Sequence, residues 1–202
     1  MKKLEFEKKN ANNGIIELFG LPKSGKSTFL NKLAEEGKNF LDFDKMPSFR
    51  KFLLFLSYLF RHPLNTKYLF YKMNSNWLCL KELNLKDYFE IFRMRNSYLM
   101  AVLAKYELLK NVKKEVYVDE FIMQSLFMIK QKESSEEELR NIIDKLPKSR
   151  KIMILEETKK KRYERWKKIK KPARNLNLDF RMKWWSINEK NYEIIKKIME
   201  KN

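Results

Sequence analysis

Short apolar runs and longer amphipathic segments alternate along the chain. Four of the runs have the length and the β-branched or aromatic content of buried strands, and they lie at residues 15–19, 39–44, 115–118 and 151–155. Most of the sequence between them has apolar residues at helical spacing. Because strands that alternate with helices form parallel sheets covered on both faces, we predict an α/β fold with a parallel sheet of four or five strands.

The region between the second and third runs is helical throughout. It extends over residues 47–111, and breaks expected at Pro63 and Asn84 divide it into about three helices. We therefore expect a helical subdomain inserted after the second strand, within a single domain that spans residues 1–202.

Several helix ends have recognisable capping residues. Gly37 stands where a left-handed cap is expected to end the first helix. Serines followed three residues later by glutamates, at positions 134–138, form a capping box for a helix that Pro147 ends. Two further helices are predicted, a densely basic one over residues 156–171 and a last one over residues 184–201.

Composition excludes several classes of protein. The only cysteine is Cys79, so no internal disulfide is possible. The longest apolar run, residues 52–60, is far shorter than the roughly 20 residues of a membrane-spanning helix. Because the first residues include lysines and glutamate rather than an apolar signal core, we expect a cytoplasmic protein.

The formal net charge of +19 makes nucleic acid, an anionic membrane surface and anionic small molecules possible partners. The lysines occur in every segment, which favours a solvated surface of biased composition. One stretch, residues 48–73, combines basic with aromatic residues. We interpret its aromatic residues as the packing of the helical subdomain; a membrane-surface role and contact with nucleic acid are the alternatives.

Two of the four glycines of the chain lie in one loop. The sequence from Gly20 to Ser27, GLPKSGKS, fits the pattern G-x-x-x-x-G-K-[ST] and lies between a predicted strand and a predicted helix. Glycines let backbone N–H groups surround phosphate oxygens, and the helix N-terminus adds positive partial charge. Lys26 would reach the β- and γ-phosphates, Ser27 would hold magnesium, and Thr28 would assist at the α-phosphate. The predicted nucleotide-binding residues are Gly20, Leu21, Pro22, Lys23, Ser24, Gly25, Lys26, Ser27 and Thr28.

Two carboxylates end the third predicted strand, in the sequence EVYVDEF. Asp119 is predicted to hold the magnesium ion of the bound nucleotide, directly or through water. Glu120 is either a second metal or base residue or an ordinary surface residue. Neither a D-x-x-G motif after a strand nor an N-K-x-D motif occurs in the chain, which disfavours a GTPase and favours ATP as the nucleotide.

The loop GLPKSGKST, the strand end VYVDE and the sequence KIMILEETKKKRYERW together resemble the P-loop kinases of small molecules, the thymidylate kinase-like group. The resemblance covers about residues 14–175. It implies a three-layer P-loop NTPase fold and the transfer of the γ-phosphoryl group of ATP, with Mg²⁺, to a nucleotide, nucleoside or sugar-like acceptor. It also implies a basic lid over residues 156–182, in which Arg162 and Arg165 share a helix face and close over the donor phosphates. A solvated basic helix is the alternative.

The same resemblance places the phosphoryl acceptor beside the second strand and the helices after it. It implies that Asp42 or Asp44 orients or deprotonates an acceptor hydroxyl, although a simple turn at the strand end explains both residues nearly as well. Arg95 lies near the centre of the apolar stripe of its helix. Because a buried guanidinium needs an anionic partner or strong hydrogen bonds, we predict that Arg95 binds the acceptor; a salt bridge to the carboxylates after the third strand is the alternative.

A second class of function uses the same loop. A P-loop ATPase or a nucleotide-gated nucleic-acid-binding module would also bind ATP, and it would use the positive charge to contact phosphates of DNA or RNA. Such a protein would bind nucleic acid in a strongly salt-dependent way, whereas a kinase requires a pocket for a small acceptor.

Overall fold

The computed structural model describes residues 2–7, 13–41, 43, 46–75, 85–129, 132–167 and 178–201. In this part of the chain one mixed sheet is formed by four strands, β1 (Lys2–Glu7), β2 (Ile15–Phe19), β3 (Val116–Val118) and β4 (Lys151–Glu156). Their order across the sheet is β1-β4-β2-β3. The α/β class predicted from the sequence is therefore confirmed.

The sheet is parallel except at one edge. β2 pairs in parallel with both β3 and β4, whereas β1 pairs with β4 in the antiparallel direction. The prediction of a wholly parallel sheet is therefore wrong. In β1, Leu4 and Phe6 pack on the core and alternate with exposed charged residues. Such alternation is typical of an antiparallel strand with one face in water.

The run at residues 39–44 does not form one of the named strands. Within the described residues it contributes a single parallel bridge, between Phe40 and Tyr117, on the outer side of β3. Because β3 is only three residues long, it offers few backbone groups for a longer pairing. Asp42 and Asp44, the predicted acceptor residues, lie outside the described part of the chain.

Eight helices occur among the described residues. They are α1 (Lys26–Glu35), α2 (Ser48–Arg61), α3 (Pro63–Ser75), α4 (Leu85–Leu109), α5 (Ile122–Ile129), α6 (Glu136–Lys145), α7 (Lys159–Lys167) and α8 (Leu178–Glu200). The predicted helical insertion after the second run is confirmed by α2, α3 and α4. In the described residues, none of the helices has both the length and the apolar character needed to cross a membrane.

The helix ends agree with the capping residues of the sequence. Gly37 adopts a left-handed φ of 70° just beyond α1, and its N–H donates to the Ala34 carbonyl at 3.0 Å. The Ser135 hydroxyl accepts the N–H of Glu138 at 3.1 Å and caps α6. Only α5 has no counterpart among the predicted helices, because its nearly continuous apolar sequence shows no clear helical period.

The two faces of β2 belong to different cores, since successive side chains of a strand point in opposite directions. Ile15 and Phe19 pack in a large core that includes residues of α4, α5, α6 and α8. Ile16 and Leu18 pack in a smaller core, which is covered by residues of α1. Helices therefore cover both faces of the strand that carries the glycine loop.

Glu17 is a fully buried carboxylate in the middle of β2. Its Oε1 accepts the backbone N–H of Met123, and it lies 3.4 Å from the N–H of Gln124. These are groups of the first turn of α5, where helix N–H groups have no partner inside the helix. Its Oε2 accepts the hydroxyl of Ser149 at 3.0 Å. The negative charge therefore caps α5 from the neighbouring strand, in the favourable direction of the helix dipole.

We expect Glu17→Leu to lower the free energy of unfolding by at least about 2 kcal/mol, because buried donors without acceptors cost about 1–3 kcal/mol each. Glu17→Gln keeps an amide oxygen as an acceptor for the Met123 N–H and should cost clearly less. Urea denaturation followed by circular dichroism measures both. Equal losses in the two variants would contradict the capping role.

Candidate functional site

The loop at residues 20–25 connects the carboxyl end of β2 to the first turn of α1. Its backbone is left-handed at Lys23, with φ of 66°, and at Gly25, with φ of 98°. The Gly25 carbonyl accepts the N–H of Phe29 at 3.0 Å and so begins the helix. Glycine adopts positive φ without steric cost, which explains its use at position 25.

Gly20 is required by packing. A Cβ at this position would lie 2.5 Å from the carbonyl oxygen of Leu155 in β4 and 2.8 Å from the Ser24 hydroxyl. From the sequence we expected both glycines to make room for phosphates. At Gly20 the close neighbours are instead the adjacent strand and the loop itself, so this glycine lets the loop lie directly against β4.

Lys26 is the first residue of α1, and only 9% of its surface is exposed. Its Nζ donates to the carbonyl oxygen of Gly20 at 2.9 Å and lies 3.5 Å from that of Leu21. Burial lowers the pKa of the ammonium group, and the charges of Asp119 and Glu120 act in the opposite direction. The cation is therefore held at the loop by backbone carbonyl groups, within the field of two carboxylates.

Asp119 and Glu120 follow β3, the strand that pairs with β2. Asp119 Oδ1 accepts the N–H of Glu120 at 2.8 Å, and the left-handed φ of 47° at Glu120 turns the chain toward α5. Lys105 of α4 lies 3.4 Å and 3.3 Å from the carbonyl oxygens of these two residues. The structure thus brings the predicted metal-binding residue and the loop lysine to the same end of the sheet.

The two predicted lid arginines lie on α7 and contact the site differently. Arg165 donates to the carbonyl oxygen of Lys23 in the loop at 2.9 Å and to Glu157 at 3.1 Å. Arg162 is buried, donates to Glu189 of α8 at 2.9 Å, and has its guanidinium 5.5 Å from the centre of the Trp185 ring. Both arginines therefore contact other residues of the protein. In the alternative, a solvated basic helix, their side chains would contact only water.

A cavity of about 410 Å³ lies beside the loop, between the end of β4 and helices α7 and α8. Two polar atoms that belong to its lining residues, Ser24 Oγ and Arg162 Nη1, are buried and have no hydrogen-bond partner in the described structure. Buried polar groups normally have hydrogen-bond partners, so the part of the cavity lining formed by these two residues suits a polar ligand. The lining residues are Leu21, Ser24, Leu155, Glu156, Glu157, Thr158, Lys159, Arg162, Tyr192 and Glu193.

On the other side of the loop, α4 directs polar groups toward the end of β3. Arg95 is 1% exposed, which confirms its predicted inward direction, and it donates to the carbonyl oxygen of Met73 in α3. The Tyr98 hydroxyl, one turn along the same helix face, is buried without a hydrogen-bond partner among the described residues, as is the amide oxygen of Gln124. Burial raises the pKa of Tyr98, and the charges of Glu120, Glu17 and Asp119 raise it further.

Sequence reasoning missed Tyr98 and Gln124 as candidate site residues. The spacing of three between Arg95 and Tyr98 places both on one helix face and was a usable signal. Gln124 had no such signal, because its helix was not predicted.

The donor set near the loop fits magnesium. Ser27 and Thr28 are exposed on the first turn of α1, and Asp119 is half-buried at the end of β3. Hydroxyl and carboxylate oxygens are ligands that Mg²⁺ accepts, and this ion commonly takes its remaining ligands from water and phosphate. Among the described residues no group of three or more His, Cys, Asp or Glu side chains is arranged to hold a metal ion.

Comparison with known protein families, with curated proteins and with solved structures found no match. A function for this chain has to be argued from the geometry of its own residues.

The lowered pKa of Lys26 predicts how its contribution to stability varies with pH. At a pH low enough for Lys26 to be protonated in both the folded and the unfolded chain, folding carries the full free-energy cost of burying the ammonium charge. At pH values between the lowered pKa of Lys26 in the folded protein and its ordinary pKa of 10.5, the folded protein has released the Lys26 proton while the unfolded chain still holds it. The cost of burying the charge therefore decreases as the pH rises. The stability of Lys26→Met relative to the wild type should therefore be greatest at neutral pH and fall toward pH 10.5.

Chemical denaturation of both proteins at several pH values tests this expectation. Lys32→Met is the matched control, because Lys32 lies exposed on the same helix and its replacement removes a lysine without removing a buried charge. A relative stability of Lys26→Met that rises with pH would show that burial does not control this ammonium group.

Proposed function

We propose that this chain is a P-loop phosphotransferase that moves the γ-phosphoryl group of ATP to a small-molecule acceptor. The observation that carries the proposal is the position of Lys26, whose buried ammonium group lies at a left-handed glycine loop, in the field of Asp119. A lysine for the donor phosphates and a carboxylate for the metal ion, close together at the end of the sheet, are two of the charges that phosphoryl transfer from a nucleotide uses.

The sheet order supports a P-loop NTPase fold. β2, which carries the loop, lies between β3 and β4, and the chain segment at Phe40 lies beyond β3. The connection that leaves β2 leads to the segment beyond β3, whereas the connection that leaves β3 leads to β4, on the other side of β2. The glycine loop lies at the carboxyl end of β2, the strand between β3 and β4. In open α/β sheets, ligands bind at this kind of switch point.

The loop and Lys26 supply the positive charge for the donor phosphates. The N-terminus of α1 directs backbone N–H groups and a positive partial charge toward the loop. The Lys26 ammonium donates to the neutral Gly20 carbonyl. A phosphate oxygen is a stronger acceptor for this cation, because it carries negative charge whereas the carbonyl oxygen is neutral.

Ser27 and Asp119 are the residues that would hold magnesium. When bound, the ion would supply positive charge that offsets the negative charge of the phosphate groups. Asp119 is suited to this by its position after the strand adjacent to the loop. Its side chain already accepts the Glu120 N–H through one oxygen, which fixes the carboxylate orientation.

The α7 arginines would neutralise charge on the transferring group. Arg165 already contacts the loop through the Lys23 carbonyl, and Arg162, which lines the adjacent cavity, has one nitrogen without a hydrogen-bond partner among the described residues. Guanidinium groups match phosphate oxygens in two-point contacts. The cavity, beside the loop, has room for the nucleoside part of the donor.

The acceptor would bind on the α4 side. Arg95 is buried on this helix, Tyr98 lies in the field of the carboxylates after β3, and the Tyr98 hydroxyl offers both a donor and an acceptor. The resemblance to small-molecule kinases adds Asp42 or Asp44 as the group that orients an acceptor hydroxyl. A nucleotide, nucleoside or sugar-like compound fits such a polar site. The positive charge of the chain keeps a nucleic-acid-dependent ATPase as the second candidate.

We expect MgATP to stabilise the wild-type protein and Lys26→Met to lose this effect. At a hundredfold excess over Kd, ligand binding adds about 2.7 kcal/mol, which raises Tm by roughly 5–10 °C in a chain of this size. Lys32→Met, with its exposed lysine on the same helix, should behave like the wild type. A screen of nucleosides, nucleotides and sugars for ATP consumption and a phosphorylated product then identifies the acceptor.

Turnover retained in Lys26→Met would contradict the mechanism. ATP hydrolysis stimulated only by nucleic acid, with no phosphorylated small molecule, would favour the second candidate. Folding of each variant is checked by a cooperative thermal transition without nucleotide.

Tyr98→Phe separates a binding role from a packing role on the acceptor side. Removing a buried hydroxyl that has no partner among the described residues should leave stability unchanged or raise it. If the hydroxyl contacts the acceptor, the acceptor KM should rise about tenfold, the equivalent of one lost hydrogen bond, while the KM for ATP stays constant. An unchanged acceptor KM in steady-state assays would remove Tyr98 from the acceptor site.

A further inference from the structure

Helix α2 is apolar on two opposite faces. Its inner face, which includes Phe55 and Tyr58, is buried, and the helix packs along α4. The Tyr58 ring makes an edge contact with the ring of Tyr106 in that helix. A helix that is apolar all round is normally buried all round, so the other face of α2 requires an explanation.

The outer face of α2 consists of aromatic and aliphatic side chains in open solvent. Phe49 is 72% exposed and Phe60 is 80% exposed, and Leu64, at the start of α3, is 81% exposed. Phe49, Leu53 and Phe60 recur at spacings of four and seven, so they form one stripe along the helix. Contiguous exposed apolar residues at helical spacing mark an interaction surface rather than chance exposure.

In the sequence, the charged residues of the segment that includes this stripe have one sign, and one of them, Arg61, is paired with Glu107 of α4. Residues 45–81 contain no Asp or Glu but contain seven Lys or Arg residues: Lys45, Arg50, Lys51, Arg61, Lys67, Lys72 and Lys81. Arg50 and Lys67 have exposed side chains on α2 and α3. The partner therefore presents an apolar layer to the stripe and negative charge beside it.

We propose that the outer face of α2, together with Leu64, binds the surface of an anionic lipid bilayer. A helix with aromatic and leucine side chains on one face and basic side chains at its border lies in the boundary between headgroups and acyl chains. Anionic headgroups then contact the lysines and arginines, while the phenylalanines enter the apolar layer.

Charge and chemistry disfavour the other occupants. A second copy of the chain would place two basic surfaces without acidic residues against each other. Nucleic acid satisfies the basic residues, but aliphatic side chains such as Leu53 and Leu64 gain little from phosphates. The inference is independent of the proposed phosphotransferase activity, because it uses neither the loop nor the carboxylates.

Vesicle sedimentation tests the inference. The full chain is mixed with vesicles of neutral phosphatidylcholine, or of phosphatidylcholine with phosphatidylglycerol, and the bound fraction is measured at low and high salt. We expect binding to the anionic vesicles that weakens at 1 M salt, where the Debye length falls to about 3 Å. Phe49→Ser combined with Phe60→Ser should weaken binding at least about tenfold, because two large apolar side chains no longer leave water.

Two variants serve as comparisons. Phe40→Ser combined with Tyr163→Ser removes two aromatic residues of smaller exposure outside this surface and should bind as the wild type does. Arg50→Gln combined with Lys67→Gln should weaken binding to anionic vesicles without affecting the neutral ones. Because all these side chains are exposed, each variant should keep the wild-type thermal transition.

Three results would overturn the inference. The first is a lack of binding to anionic vesicles by the wild type. The second is binding that the double phenylalanine variant retains in full. The third is a dimer or a nucleic-acid complex that the same variant abolishes, in the absence of vesicle binding, which would assign the surface to that other partner.

Discussion

The buried carboxylate of Glu17 determines where the two halves of the site meet. It lies in β2, three residues before the glycine loop, and accepts the N–H of Met123 in the first turn of α5. That helix begins directly after Asp119 and Glu120. By capping α5, the carboxylate adds to the pairing of β2 with β3, and the two together hold Asp119 beside the loop that carries Lys26. Because the negative charge faces a helix N-terminus and a serine hydroxyl, its desolvation is offset by hydrogen bonds.

The cations around the loop are held by the protein's own oxygen atoms. Lys26 donates to the Gly20 carbonyl, Arg165 to the Lys23 carbonyl, and Arg162 to Glu189. In the proposed reaction, phosphate oxygens compete with these partners. The competition favours phosphate at the two carbonyl groups, which are neutral, more than at the carboxylate of Glu189. Each lid arginine also contacts a carboxylate, Arg165 that of Glu157 and Arg162 that of Glu189, and Arg165 already reaches from α7 to the loop.

The insertion of α2, α3 and α4 combines two surfaces with different chemistry. Its inner side buries Arg95 and places Tyr98 in the field of the carboxylates after β3, and we propose that these buried polar groups bind a small acceptor. Its outer side exposes Phe49 and Phe60 beside basic residues. One inserted unit would therefore orient the site relative to a lipid surface, while the sheet and its loop supply the nucleotide-binding residues.

The sequence by itself determined the local elements: the strands near residues 15–19, 116–118 and 151–156, the left-handed Gly37 and the Ser135 cap follow from periodicity and short-range capping. The inward direction of Arg95 followed from helical spacing in the same way. Only the tertiary structure decided that β1 pairs as an antiparallel edge, that residues 39–44 contribute a single bridge, and that Gly20 is required by the Leu155 carbonyl. Each of these results depends on a partner far along the chain. The contact between Glu17 and Met123 spans 106 residues, and no local pattern of apolar and polar positions encodes a pairing at that distance.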